Sequence, residues 1–180
     1  MDLARILKIG KGKMMISLWT DASFACHQDM KSHTGIVLSV GGAIVGVGSL
    51  KQKLVTKSST EAELVAASDT IPWNVWMSNF LIDQGYNKIG KILYQDNESA
   101  IKLEQNGRAS SSGRTRHIDI KYFFFTKDIT ERKKINIRYC PTDQMIGDFF
   151  TKPLQGCKFR QFRDTIMGMA EIDQAAIEVD

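Results

Sequence analysis

Cysteine and proline are scarce in this chain. The three cysteines, Cys26, Cys140 and Cys157, lie far apart and follow no metal-ligand spacing, so they read as free thiols of a reducing compartment, not as a disulfide framework or a zinc site. No run of about 20 apolar residues is present to span a membrane. Arg5, Lys8, Lys11 and Lys13 interrupt the N-terminal residues too often for a secretory signal. A soluble, intracellular protein without a membrane partner is expected. Charge of one sign does not dominate either: 24 Lys and Arg against 20 Asp and Glu give +4, which permits a polyanionic partner without demanding one. No internal repeat is visible. What the chain does have is 180 residues, 43% of them hydrophobic, and only three prolines, enough for one domain with a real core.

Residues 15–21 alternate as a strand, with Ser17, Trp19 and Asp21 on one face and Ile16 and Leu18 on the other. Residues 35–40 and 43–50 are β-branched or small-residue runs joined by Gly41-Gly42, a two-residue hairpin signal. The chain therefore opens as an antiparallel meander. A helix follows, because Ser58 with Glu61 three residues later makes a capping box. Pro72 marks a break or a new first turn. Beyond it Trp73, Trp76, Met77, Phe80 and Leu81 recur at helical spacing, which predicts a core-facing stripe and no cofactor site. Gly85 stops that helix. Residues 91–96 read as a fourth strand, Asn97 as the cap of a short helix over 99–105, and 108–116 as a basic, Ser-rich loop. Helical spacing returns over 117–131, a strand over 135–139, a short helix over 143–150 and an amphipathic helix over 157–169. The acidic tail to Asp180 is expected to fray.

Four carboxylates stand at the edges of these elements, in the contexts Trp19-Thr20-Asp21-Ala22-Ser23, Ala62-Glu63-Leu64, Tyr94-Gln95-Asp96-Asn97 and Gly147-Asp148-Phe149-Phe150. Asp96 falls at the carboxyl end of a strand, where open α/β sheets place their sites. One Asp at a strand end is usually a turn or cap residue. Four that converge make an oxygen-only ligand set suited to Mg²⁺ or Mn²⁺, and paired ions clamp the attacking and leaving oxygens of a phosphoryl displacement. Glu61 and Glu63 lie about 200° apart around a helix, so they cannot serve one site equally. Capping occupies Glu61 and leaves Glu63 for chemistry, with Glu61 the competing choice. Four crowded carboxylates should also repel one another without metal, so neutralising Asp148 is expected to stabilise the metal-free chain.

The chain resembles the ribonuclease H domain of copia-type retrotransposon polyproteins. The matching segments are Thr20-Asp21-Ala22-Ser23, Asp29-Met30-Lys31-Ser32-His33-Thr34-Gly35, Lys57-Ser58-Ser59-Thr60-Glu61-Ala62-Glu63-Leu64, Tyr94-Gln95-Asp96-Asn97-Glu98-Ser99-Ala100, Arg114-Thr115-Arg116-His117-Ile118-Asp119-Ile120 and Asp148-Phe149-Phe150-Thr151-Lys152-Pro153-Leu154. Each is weak alone, and their order makes them strong together. The resemblance implies an α/β, RNase H-like fold: a five-stranded mixed sheet, three antiparallel strands then two parallel ones, with helices on both faces. It implies hydrolysis of the RNA strand of an RNA–DNA hybrid by two Mg²⁺ ions, with Mn²⁺ as a substitute, leaving a 5′-phosphate and a 3′-hydroxyl. The family tetrad falls on Asp21, Glu63, Asp96 and Asp148. In that scheme Asp21 bridges both ions, Glu63 and Asp96 hold the ion near the leaving oxygen, and Asp148 holds the ion that activates water. A cytoplasmic particle or the nucleus is the implied location.

Two departures from the family pattern matter. Many cellular ribonucleases H carry a histidine in the loop that here spans 139–147, and this segment has none. His117 is its substitute, a helix N-terminal histidine or a phosphate contact. The second departure is that little precedes Asp21. Residues 1–13 read as the remnant of a linker from a polymerase region, 14–170 as the RNase H-like domain and 171–180 as a tail. The chain is then a polyprotein fragment, a truncated copy or a domesticated domain, with a reverse transcriptase polymerase as partner in any full-length polyprotein. Arg108, Arg114, Arg116, Lys51, Lys53 and Lys121 could follow a substrate backbone, since cationic contacts supply affinity without sequence information. Solvated surface charge is the competing explanation for each. Two functional readings therefore stand, an active hybrid-cleaving endonuclease and a catalytically silent nucleic-acid-binding remnant. An integrase-type core, with three acids and another motif order, fits less well.

Overall fold

The computed structural model describes residues 14–106, 122, 131–170 and 172. The expected linker over 1–13, the basic loop over 108–116, most of the helix over 117–131 and most of the tail lie outside the described residues. Within them run β1 (Met14–Ser23), β2 (His33–Val40), β3 (Ala43–Lys51), α1 (Ser59–Asp83), β4 (Ile89–Gln95), α2 (Glu98–Asn106), β5 (Asn136–Tyr139), a 3₁₀ turn (Ile146–Phe150) and α3 (Gly156–Ile166). No helix among these residues is long and apolar enough to cross a membrane.

The five strands form one sheet in the order β3-β2-β1-β4-β5. The β1–β2 and β2–β3 pairs are antiparallel, whereas β1–β4 and β4–β5 are parallel. This is the RNase H-like topology expected. Gly41 (φ 58°) and Gly42 (φ 88°) carry the β2–β3 hairpin, and a two-residue turn with positive φ at both positions matches the right-handed twist of the flanking strands.

Strand alternation divides the core between the two faces of the sheet. Ile16, Leu18, Ile36, Leu38 and Leu93 face one way and pack with Ala67, Ile71 and Leu81 of α1. Trp19, Val37, Ile92 and Tyr94 face the other way and meet Ile146 of the 3₁₀ turn and Phe162 of α3. Trp19 and Tyr94 stack with ring centroids 4.9 Å apart, which ties the parallel neighbours β1 and β4 together next to their carboxyl ends.

Helix α1 departs from expectation in two ways. It runs unbroken through Pro72, because Ile71 before the proline and Trp73 after it both pack on the same core. Tertiary burial on both sides offsets the backbone hydrogen bond that proline cannot make. The buried face is also rotated from the expected stripe. Ile71, Asn74, Ser78 and Leu81 are buried, and the Asn74 amide donates to the Ile92 carbonyl oxygen at 3.3 Å. Trp76 and Phe80 stack on each other at the surface, 64% and 48% exposed. The short helix over 143–150 is instead a 3₁₀ turn over Ile146–Phe150.

Candidate metal centre

Asp21 lies near the end of β1, opposite Gly35 of β2, and Asp96 is the residue after β4. Since β1 and β4 run parallel with Trp19 beside Tyr94, the two aspartates emerge next to each other. Asp148 arrives on the 3₁₀ turn, whose Gly147 sits against Asp21. One carboxylate oxygen from each of Asp21, Asp96 and Asp148 lies within 4.8 Å of the others. Asp21 and Asp148 are buried and Asp96 is half-buried.

The two glutamates of α1 separate as their helix positions require. Glu61 accepts from the Lys57 N–H at 2.6 Å, while its own N–H donates to Ser58 Oγ at 3.2 Å, so it serves the helix start. Glu63 turns toward β1, where its Oε1 accepts from the Ala22 N–H at 3.1 Å. Its Oε2 is buried with no hydrogen-bond partner among the described residues. A buried carboxylate oxygen without a partner is costly unless a cation or proton satisfies it. Glu63 lies beside the aspartate triad and outside its 4.8 Å group.

Four residues complete the site that motif spacing gave no role. The Thr151 hydroxyl donates to Asp21 Oδ2. The Lys152 ammonium donates to Asp148 Oδ1 at 2.6 Å and to Asp21 Oδ1 at 3.4 Å. Lys158 on α3 donates to Asp148 Oδ2 at 3.0 Å and to the Thr142 carbonyl oxygen at 2.8 Å. The run Thr151-Lys152-Pro153-Leu154 belongs to one of the segments that carry the family resemblance, which gives Thr151 and Lys152 no role of their own. The Thr142 hydroxyl donates to Asp96 Oδ2 at 3.3 Å.

Burial and mutual repulsion set the electrostatics. Burial pushes Asp21 above the usual carboxylate range, and Asp148 and Asp96 add to this against the Thr151 hydrogen bond and the Lys152 charge. Burial also raises Asp96. Glu63 is held well above its ordinary value, first by burial and then by the charges of Asp21 and Asp96. Each carboxyl thus lacks enough positive charge around it to ionise freely. An oxygen-only set of three aspartates, with an unsatisfied glutamate oxygen beside it, fits a hard divalent cation such as Mg²⁺ or Mn²⁺.

The start of β2 is tied to the turn that carries Asp148 through Ser49 of β3. His33 Nε2 lies 2.7 Å from Ser49 Oγ, and Ser49 donates onward to the Phe150 carbonyl oxygen at 2.9 Å. The serine proton is thereby committed, so His33 Nε2–H donates to Ser49 and its Nδ1 accepts from His27 Nε2–H at 3.0 Å. Ser32 Oγ accepts from the Ala25 N–H at 3.1 Å and meets the Thr56 hydroxyl at 3.0 Å. Of the cations proposed to follow a nucleic-acid backbone, Lys51 is paired with Asp29 at 2.8 Å and Lys53 is exposed. Arg108, Arg114, Arg116, Lys121 and His117 lie outside the described residues.

No protein-family model matches the chain. It is 29% identical over 161 residues, 89% of its length, to the retrovirus-related Pol polyprotein from transposon TNT 1-94 of Nicotiana tabacum. It is 30% identical over 140 residues, 75% of its length, to the transposon Ty1-NL2 Gag-Pol polyprotein of Saccharomyces cerevisiae. Its homologues include retrovirus-related Pol polyproteins of plant copia-type transposons. The chain spans only 12% and 8% of the Nicotiana tabacum and Saccharomyces cerevisiae polyproteins. Among solved structures, LC11-RNase H1 in complex with RNA/DNA hybrid matches with a TM-score of 0.52 at 11% identity, covering 72% of this chain and 88% of that one. At that identity the likeness shows the fold, and the fold is that of a ribonuclease H domain.

Proposed function

We propose that this domain is a divalent-metal-dependent endonuclease that hydrolyses the RNA strand of RNA–DNA hybrids, leaving a 5′-phosphate and a 3′-hydroxyl. The observation that carries the proposal is the meeting of Asp21, Asp96 and Asp148 within 4.8 Å at the ends of β1 and β4, with the unsatisfied Glu63 Oε2 next to them. Asp21, Glu63, Asp96 and Asp148 are the residues that would hold two Mg²⁺ or Mn²⁺ ions. Such ions neutralise charge on a phosphate and acidify water.

The chain's own groups do the positioning. The Ala22 N–H fixes one oxygen of Glu63 and leaves the other for a cation. The Thr151 and Thr142 hydroxyls orient Asp21 and Asp96 by holding Oδ2 of each, and the other oxygen of Asp21 meets the Lys152 ammonium. Within a full-length Pol the hybrid would be delivered by the polymerase region of the same polypeptide. Lys53 and the arginines over 108–116, with His117, are proposed to meet the hybrid backbone.

Labelled RNA–DNA hybrid, RNA duplex and DNA duplex, each incubated with Mg²⁺ and with chelator, test the proposal. Cleavage is expected of RNA paired to DNA alone, because that hybrid presents 2′-hydroxyls on one strand and a deoxyribose backbone on the other. Asp96→Asn should remove turnover and keep hybrid binding. Equal cutting of DNA duplex would overturn the substrate assignment. One observation favours the catalytically silent reading instead: both oxygens of Asp148 are already held by lysine ammoniums. That reading expects hybrid binding with no cleavage in any of these mixtures.

A further inference from the structure

We infer that Lys152 is the exchangeable counter-cation of the carboxylate cluster: its ammonium pairs with Asp21 and Asp148 in the metal-free protein and has to leave them when a divalent ion takes the same oxygens. The inference rests on the metal-centre reading above and assigns a role within it that the four acids alone do not reveal.

The two lysines at the cluster are not equivalent. Lys158 is anchored beyond the carboxylates, through the Thr142 carbonyl oxygen at 2.8 Å and over the Phe162 ring at 5.2 Å from its centroid. The contacts of the Lys152 ammonium are to carboxylates, Asp148 Oδ1 at 2.6 Å and Asp21 Oδ1 at 3.4 Å. Displacing Lys158 would therefore break a carbonyl hydrogen bond that an incoming ion does not replace. Displacing Lys152 loses only charge pairing, which the ion itself restores.

The same two atoms are also the ones an ion would need. Asp21 Oδ2 is taken by the Thr151 hydroxyl and Asp148 Oδ2 by Lys158. This leaves Oδ1 of each, and both are held by Lys152. Its side chain is 37% exposed, and a flexible four-carbon stem gives the ammonium a way out to water. Carboxylates buried without counter-charge would be costly, so Lys152 offsets part of the charge of the site until it is loaded. The price is metal affinity: if the ammonium is away only about one-tenth of the time, the apparent Kd is about tenfold weaker than the intrinsic one.

Calorimetric titration of the full chain with MgCl₂, at fixed pH and ionic strength, tests this with three variants. Lys152→Met should bind Mg²⁺ about tenfold tighter than the unmodified protein. Lys152→Arg keeps the charge and the reach and should bind like the unmodified protein. Lys158→Met removes an equal charge from the same Asp148 and should change affinity clearly less. Melting curves give a second reading: with chelator Lys152→Met should melt lower than the unmodified chain, and with Mg²⁺ it should gain more. Equal tightening in Lys152→Met and Lys158→Met would show that net charge and not shared oxygens sets the affinity, and would overturn the inference. Unchanged or weaker binding by Lys152→Met would do the same. If neither the unmodified chain nor any variant takes up Mg²⁺, the metal-centre reading fails and the inference falls with it.

Discussion

Gly35 and Gly147 meet where β2 passes the 3₁₀ turn: a Cβ built on Gly35 would stand 2.5 Å from the Gly147 carbonyl oxygen and 2.8 Å from Thr151 Cγ2. A backbone carbonyl cannot swing aside as the end of a flexible side chain can. The turn carries Asp148 and is followed by Thr151, so this contact sets how far the third aspartate stands from Asp21. Gly35→Ala is therefore expected to push the turn off β2. Overpacking of this kind costs about 1 to 3 kcal/mol, and Mg²⁺ binding should weaken with it. Urea unfolding and calorimetry on the same samples check both effects. Native stability with unaltered Mg²⁺ binding would show that the turn is not held at this contact.

Asp148→Asn now carries the opposite expectation from the one that crowded carboxylates suggested. Repulsion among the acids predicted that neutralising Asp148 would stabilise the metal-free chain. In the fold Asp148 is buried and paired with two ammoniums, at 2.6 and 3.0 Å. An amide would leave Lys152 and Lys158 without their shared counter-charge. Removing one partner of a buried pair is strongly destabilising. Both lysines are about a third exposed and hydrated, which reduces the loss to about 1 to 3 kcal/mol. A melting temperature in chelator that rises in Asp148→Asn would restore the repulsion argument.

Glu61 and Glu63 should separate cleanly in a paired experiment. Glu61→Ala loses the side-chain acceptor for the Lys57 N–H, and cap losses typically cost about 0.5 to 2 kcal/mol. Glu63→Gln keeps an oxygen for the Ala22 N–H and removes the charge that faces the aspartates. It should therefore lose metal-dependent cleavage with little change in stability. Activity that survives Glu63→Gln and vanishes in a folded Glu61→Ala would transfer the role to Glu61.

What could be read from the sequence was what local periodicity encodes. Alternation placed Asp21 and Asp96 at the carboxyl ends of their strands, within one residue of where β4 ends for Asp96, and Gly41-Gly42 fixed the hairpin that makes the first three strands a meander. The capping box already assigned Glu61 and Glu63 different faces. Other features depend on contacts that no window of sequence contains. Pro72 reads as a break or a new first turn because the core that packs on either side of it comes from strands far away in the chain. Trp76 and Phe80 keep perfect helical spacing and still face water, since the spacing fixes which residues share a face without fixing which face the sheet covers. Lys152 reaches Asp21 across 131 positions, so its place in the site appears only once β1 and the 3₁₀ turn are packed together.

The last prediction concerns Glu104, a buried acid that lies outside the aspartate triad and whose charge reaches Glu63. It lies on α2 with no exposed surface, and its Oε1 accepts from Gln95 Nε2 at 3.4 Å. Its Oε2 and Gln95 Oε1 lack partners among the described residues. Burial pushes its carboxyl from the ordinary 4.5 up to about 8, against the Gln95 hydrogen bond. A raised acid pKa means that the folded protein holds a proton the unfolded chain has already released. The stabilisation is complete below about pH 4.5 and is lost as pH rises through about 8. Glu104→Gln removes this titration, and its amide can donate to Gln95 Oε1. The variant should match the unmodified protein near pH 5 and exceed it increasingly toward pH 9, by an amount on the order of 2 to 4 kcal/mol. Urea unfolding of both proteins at steps across that range, with Mg²⁺ chelated throughout, reads the difference. Parallel stability curves would mean that Glu104 is ionised in the fold at neutral pH and finds its counter-charge elsewhere.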